Sequence, residues 1–188
     1  QVAGETKVHD PETFEHTKRN KRDRGNFVYN AMKNLTNTSR TSQGNVDTSA
    51  TKVKAQSMAA SGDVAAKIAN ENFQKTMERL YNEKDRAFTN VNELQSFVDQ
   101  IAQDVNSGIL KEGILIRRGD SDKYPYTRVA NLPAARASFV RELYTRLNDP
   151  KQNPKELAAW VEFNVDMKHH FYEDGCGKTA KALSAWVL

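Results

Sequence analysis

The chain lacks the features that would cross-link it by disulfides or anchor it in a membrane. It has one cysteine in 188 residues, so no disulfide can form within the chain and nothing supports a disulfide-built secreted scaffold. No apolar run approaches the ~18 residues of a transmembrane helix, and we expect no membrane span. No signal peptide is visible. Because Gln1 is not an initiator residue, we expect that upstream sequence was removed or that the chain is a fragment.

The composition allows one core of modest size. Hydrophobic residues make up 38% of the chain and the mean hydropathy is −0.77, which predicts one ordinary domain plus an extension. The net charge of +4 is mild, and a basic cluster lies at residues 18–24. Such a cluster could contact nucleic acid, an acidic partner or an anionic membrane. A solvated flexible arm is the more common outcome, so we do not expect a nucleic-acid partner.

The periodicity divides the chain into three parts. Residues 1–50 are polar, basic and aperiodic, which predicts a flexible extension. Residues 51–86 carry a thin apolar stripe and are expected to form a helical arm, broken near Ser61. Residues 87–188 show the sharper patterns of a folded core.

The core pattern predicts helices separated by one hairpin, and therefore a mainly α fold. Asn90 and Glu93 form a capping-box-like start to a helix, and Pro133 and Pro154 each begin another. The helix from Pro154 is apolar around most of its girth, so we expect it to be buried and central. The turn-rich link within 114–129 predicts a small β-hairpin.

Residues 170–181, near the C-terminus, combine the groups needed to hold a polyphosphate and deprotonate a neighbour. A glycine-bracketed turn that opens a helix directs backbone N–H groups and the helix dipole at an anion. Lys178 and Lys181 lie three positions apart, so a helix places them on one face. Asp174 offers a carboxylate suited to Mg²⁺ shared with phosphates. His170 is the natural general base.

The order of these residues resembles the signature of Fic-domain proteins, His-x-Phe-x-Asp/Glu-Gly-Asn-Gly-Arg-x-x-Arg. Four positions are in register: His170, Asp174, Gly175 and Gly177. Aligning His169 as the catalytic histidine would leave the glycines one position out. Upstream segments at 113–118, 132–133 and 153–159 are similar to the hairpin entry and the two helix starts of that family, in the same order. The resemblance therefore covers roughly the second half of the chain and implies a Fic-like helical bundle with a small β-hairpin flap.

Several positions depart from the family pattern. Tyr172 stands where Phe is usual, and Cys176 replaces an Asn that gives the phosphate a side-chain hydrogen bond. Lys178 and Lys181 replace two arginines, which keeps the charge but loses the bidentate fork. The family also has a further helix beyond the position of Leu188, so we expect a shortened core or a rearranged fold there.

The resemblance implies a Mg²⁺-dependent protein adenylyltransferase, which moves AMP from ATP to a protein hydroxyl. His170 would remove the hydroxyl proton, and Asp174 would hold the metal. The turn of Gly175, Cys176 and Gly177 would cradle phosphates with its amides. Lys178 would bind the terminal phosphates, and Lys181 would support the site.

The resemblance also implies partners and leaves alternatives open. The protein target would bind along the 114–129 hairpin by strand addition. No self-inhibitory pattern is found, because Leu94 follows Glu93 where Gly or Asn is needed, so a separate inhibitory or regulatory protein is expected. The protein would act in the bacterial cytoplasm or, as a toxin or effector, in a host cell. The same fold could instead transfer UMP, phosphocholine or a phosphoryl group, or be a degenerate binding or scaffold protein.

Overall fold

The computed structural model describes residues 48–188, with side chains from Val53 onward. The expected extension over residues 1–50, with its basic cluster, lies almost entirely outside this range. The predicted break in the arm is confirmed, since helix α1 ends at Ser57 and α2 begins at Gly62. None of the helices in the described part is long and apolar enough to cross a membrane.

The described residues are mainly helical, as predicted. A 3₁₀ turn at Val129–Asn131 precedes α4, and α5 continues into a π-helical turn at Phe163–Lys168. The six α-helices are α1 (Thr48–Ser57), α2 (Gly62–Asn82), α3 (Val91–Asn106), α4 (Leu132–Leu147), α5 (Pro154–Glu162) and α6 (Cys176–Val187).

Helix α3 forms where its cap and its apolar periodicity predict it. The Asn90 side chain accepts a hydrogen bond of 2.9 Å from the Glu93 backbone N–H, and the Glu93 carboxylate accepts one of 3.0 Å from Thr89 N. These bonds satisfy amides that a helix start otherwise leaves without partners. The buried face of α3 consists of Leu94, Phe97, Val98, Ile101, Ala102, Val105 and Asn106.

The central helix is α6 rather than the one that begins at Pro154. Helix α6 packs against α2, α3, α5 and the π-helical turn, and most of its residues are buried. The prediction that the helix from Pro154 is buried all round is wrong at its end, where Phe163 is 49% and Met167 is 64% exposed. The wider π-helical turn changes the angular spacing of side chains, so apolar positions beyond Glu162 no longer share one inward face.

The expected hairpin over 114–129 is not present as paired strands, and residues 48–188 contain only isolated antiparallel bridges. The reason is that segment 115–117 pairs with the site segment 171–173 instead of with its own return segment. Arg117 N donates to Phe171 O at 2.8 Å, and Glu173 N donates to Leu115 O at 2.9 Å. On the return side Thr127 N donates to Lys168 O at 3.0 Å, so both arms of the expected hairpin bond to the 168–173 segment and not to each other.

Candidate functional site

The glycine turn opens α6 as the sequence predicts. Gly175 has a φ of 69° in the left-handed region and is the N-cap residue, and the helix start has no side-chain cap hydrogen bond. A Cβ at Gly175 would lie 2.7 Å from Asn106 Oδ1. Glycine is therefore needed both for its conformation and for its close approach to α3. The first amides of α6 lack the usual side-chain acceptor and can meet an anion.

Asn106 supports this turn from α3, a role that sequence reasoning missed. Its Nδ2 donates to Asp174 O and to Ala102 O, both at 2.9 Å. Its Oδ1 is buried without a hydrogen-bond partner in the described part of the chain. The signal in the sequence was a polar residue at the end of an otherwise apolar helix face. The spacing of residues does not show that this side chain contacts a turn far along the chain.

Lys178 is buried beside the helix start. It is 8% exposed, and no described residue forms an ion pair or hydrogen bond with its ammonium group. Burial lowers the pKa of Lys178, and the nearby Asp174 carboxylate opposes that shift. The ammonium nitrogen is not among the fully enclosed atoms without a partner, so an anion at the helix start can pair with it from solvent.

Lys181 lies in a different environment from Lys178, although both are on α6. Its ammonium forms an ion pair with the Glu162 carboxylate at the end of α5. Burial lowers the pKa of Lys181. The structure therefore holds Lys181 against α5, and a role in binding nucleotide stays a prediction.

The Asp174 carboxylate contacts the helical arm. Its Oδ1 lies 2.9 Å from Lys54 Nζ on α1. The Asp174 side chain is 29% exposed and the Lys54 side chain is 50% exposed. The arm is held nearby by Ser57, whose carbonyl accepts a 2.9 Å bond from Lys111 N and whose hydroxyl accepts one from Arg118. Among the described residues, no group of three or more acidic, His or Cys side chains could hold a metal ion together.

His170 has a constrained backbone and a constrained ring. It is the one non-glycine residue with a positive φ in the described range, at 50°. Its Nδ1 lies 2.8 Å from the Asp166 carbonyl. Because a carbonyl only accepts, Nδ1 carries the proton and Nε2 is the nitrogen that can exchange one. The ring stacks on Tyr126 with centroids 4.2 Å apart and planes 6° from parallel.

The surroundings of His170 favour its charged form. Burial lowers the pKa of His170, but the Asp166 side chain, whose Oδ1 lies 3.6 Å from Nδ1, and the nearby Cys176 outweigh burial and raise the pKa to about 10. At neutral pH the ring is therefore a cation next to the start of α6. The imidazolium, the Lys178 ammonium and the helix dipole all add positive potential to one end of this helix.

Cys176 points into the core and away from solvent. It is 2% exposed, and its Sγ donates to Tyr172 O at 3.2 Å and accepts from Tyr172 N at 3.3 Å. Its side chain thus ties the glycine turn to the preceding segment, and only its backbone amide lies at the helix start. The expected contact of residue 176 with phosphate is limited to that amide.

The Arg117 guanidinium binds backbone carbonyls. Its Nε donates to His170 O at 2.8 Å, and its terminal nitrogens donate to Gly119 O, His169 O and Thr127 O. Burial lowers the pKa of Arg117 and nearby Asp120 opposes the shift. The guanidinium therefore joins the 115–128 loop to the backbone of the histidine pair.

A cavity of about 390 Å³ lies between the end of α3 and residues 107–115, and none of residues 170–181 lines it. It is formed by the end of α3 and the loop that follows. Two of its lining residues also bond to the site segment: Asn106 donates to Asp174 O, and Leu115 O accepts from Glu173 N. A cavity of this size is within the range of small-molecule sites. Its walls combine amide and hydroxyl groups with leucine and isoleucine side chains and with the charged residues Lys111 and Glu112.

Comparisons with protein-family models, curated proteins and solved structures found no match to this chain. The likeness to Fic-domain proteins therefore depends on the residues of the motif and on their order along the chain.

Proposed function

We propose that the chain is a nucleotidyltransferase that moves a nucleotide monophosphate, AMP from ATP in the leading form, to a protein hydroxyl. The observation that carries the proposal is the buried Lys178 without a partner at the uncapped start of α6. Two further features support it: the imidazolium of His170, and a cavity whose wall includes Asn106, the residue that holds the Asp174 carbonyl. The phosphates would lie on the amides of residues 175–177, and the cavity would take the nucleoside.

The chemistry follows from the position of each group. The target hydroxyl oxygen bonds to the α-phosphorus, and the bond from that phosphorus to the bridging oxygen breaks, so pyrophosphate leaves. The hydroxyl proton passes to His170 Nε2, since Nδ1 already holds a proton against Asp166. His170 must first lose its resting proton, and the reaction should therefore accelerate as the pH rises toward the pKa of about 10.

The residues present fit Mg²⁺ only as a metal shared with the substrate. Asp174 is a single, partly exposed carboxylate, and Glu173 is buried and accepts a 3.0 Å bond from Arg118 N. Mg²⁺ is commonly held by one or two carboxylates plus phosphates, so Asp174 would hold it once Lys54 moves away. When bound, the metal would neutralise charge on the phosphates.

The proposed target is a protein segment along the outer side of the 114–129 loop. Because this loop is pinned by Arg117 and not paired as a hairpin, its outer backbone would do the binding. A separate regulatory protein, and action in the bacterial cytoplasm or in a host cell, follow from the resemblance alone.

The test is transfer of label from α-labelled ATP to proteins of a cell lysate with Mg²⁺. The proposal predicts a labelled band with wild type that is absent with His170→Ala, and no band from γ-labelled ATP. Parallel lanes with labelled UTP and CDP-choline identify another donor. Identical blank lanes for both proteins with every donor would overturn the proposed activity.

A second candidate is a non-catalytic phosphate-binding protein. Specific contacts favour it: Asp174 is paired with Lys54, Lys181 with Glu162, and Tyr126 covers one face of His170. Calorimetry separates the candidates, because this one predicts that MgATP binds to the protein but no label is transferred. Absence of MgATP binding would contradict both.

A further inference from the structure

Tyr126 makes a face-to-face contact with the proposed base. The ring centroids of Tyr126 and His170 are 4.2 Å apart and the planes differ by 6°. Tyr126 also stacks with Tyr124, at 5.4 Å and 26°. Since Tyr124 is 49% exposed, the column runs from solvent to the imidazole.

The position of Tyr126 is itself fixed by the loop. Thr127 N donates to Lys168 O at 3.0 Å, and the Thr127 hydroxyl lies 2.7 Å from His169 Nδ1. The Arg117 guanidinium carbon lies 5.7 Å from the centre of the Tyr126 ring. These contacts fix the backbone next to Tyr126 and restrain its ring independently of His170.

His170 needs such support because its backbone conformation is unfavourable for a residue with a Cβ. Arg117 holds the carbonyls of His169 and His170, which fixes the main chain. The Asp166 carbonyl fixes one edge of the imidazole. A face contact is the remaining restraint on rotation of the ring about its bond to the backbone.

We infer that Tyr126 is the positioning residue of His170, holding the imidazole face so that the ring, fixed at Nδ1 by Asp166, keeps one orientation. This inference depends on the proposed function for its kinetic consequences but not for its geometry. The charged and titratable groups around the imidazole are Asp166 on the π-helical turn, Cys176 on α6 and Arg117 on the loop. Burial, then the Asp166 carboxylate, raises the pKa of Tyr126, so its ring stays neutral against the imidazolium.

Removal of the aromatic ring should have a signature that a packing defect lacks. Leucine at 126 keeps the face of His170 covered but loses the ring quadrupole that favours a cation, so the pKa of His170 should fall by about half a unit. A loosened imidazole should lower kcat by about 10- to 100-fold, because small misplacements of reacting groups are costly. KM for MgATP should stay within about two-fold, because the phosphate contacts are elsewhere.

The experiment compares wild type with Tyr126→Leu, Tyr126→Phe and the matched control Tyr124→Leu, which removes a ring of the column that does not touch His170. Imidazole NMR signals are recorded against pH; the chain has four histidines, and His170→Asn assigns the relevant one. The inference predicts that Tyr126→Leu alone shifts the His170 ring signals and pKa and lowers kcat. Tyr126→Phe should match wild type on every readout.

Unchanged His170 signals in Tyr126→Leu, or equal changes in Tyr124→Leu, would overturn the inference. Thermal unfolding of each variant identifies one that does not fold, and Tyr126→Met then replaces Tyr126→Leu. If wild type transfers no nucleotide from any donor, the proposed function fails, and the NMR comparison still decides on Tyr126.

Discussion

Lys54 on the first helix and Asp174 in the glycine turn form an ion pair of 2.9 Å across 120 positions of the chain. The contact places a protein ammonium group on the carboxylate that the proposal assigns to Mg²⁺. The ammonium group and a metal ion on the same carboxylate would repel each other, so the arm and the metal should compete.

Replacing Lys54 with alanine should therefore strengthen Mg²⁺-dependent nucleotide binding by a few-fold. The half-exposed pair should contribute less than about 1 kcal/mol to the free energy of unfolding, so stability should change little. Calorimetric titration with ATP at several Mg²⁺ concentrations measures the effect. Lys67→Ala, at an exposed position of α2, is the matched control, and weaker binding in Lys54→Ala alone would contradict the competition.

Gly175→Ala should destabilise the fold more than Gly113→Ala. Both glycines have a positive φ, at 69° and 77°, but only Gly175 has a neighbour, Asn106 Oδ1, within 2.7 Å of an added Cβ. The backbone cost alone predicts a loss of about 1–2 kcal/mol at Gly113. The collision should add about 1–3 kcal/mol at Gly175. Urea unfolding measures both, and equal losses would show that the turn does not press on α3.

Lys178→Met should raise the stability of the protein while weakening nucleotide binding. Burial lowers the pKa of Lys178. Between this lowered pKa and the ordinary one, the unfolded chain binds more protons than the folded chain, so stability rises with pH in that window. At neutral pH the buried lysine therefore costs stability. Loss of a charged contact to phosphate, worth about 1.5–3 kcal/mol, should raise the Kd for MgATP by about 10- to 100-fold.

Lys181→Met is the matched control for that variant. Lys181 is on the same helix as Lys178, and its replacement breaks the ion pair with Glu162 of α5, which should lower the stability slightly. If Lys178→Met is the less stable of the two and binds MgATP normally, then Lys178 is a structural residue and not a phosphate ligand.

His170 should link stability and activity to pH with opposite signs. Burial lowers its pKa, but the Asp166 side chain and the nearby Cys176 raise it from 6.5 to about 10. The folded state therefore binds the extra proton, and this contribution to stability is complete below pH ~6.5 and lost as the pH rises toward about 10. As the proposed base, the neutral form should increase kcat over the same range.

The measurement is urea unfolding of wild type and His170→Asn at several pH values between 6 and 10, since asparagine tolerates the left-handed backbone. The stability difference between the two proteins should shrink as the pH rises. A difference independent of pH would mean that the folded state does not hold the proton on His170.

The local features of the fold could be predicted because their signals lie within a few residues. The Asn90 cap, the apolar face of α3, the break before Gly62 and the helix start at Gly175 each follow from spacing or backbone preference. Sequence reasoning also placed His170, Asp174 and Lys178 near one helix start, because they are close along the chain.

The rest depends on contacts between distant segments, which spacing does not encode. Pairing of segment 115–117 with 171–173 replaced the expected hairpin, and Arg117 became a ligand for carbonyls. Burial of the Cys176 thiol and the approach of Lys54 to Asp174 depend on how α6 and the arm pack. None of these has a local signature.

The central claim is that the amides at the start of α6 hold phosphates, and backbone ¹⁵N NMR during titration with ATP and Mg²⁺ tests it most directly. The account predicts that the largest amide shifts are those of Cys176, Gly177 and Lys178, and that Lys178→Met weakens them. Shifts confined to the basic residues 18–24, with those three amides unmoved, would contradict it.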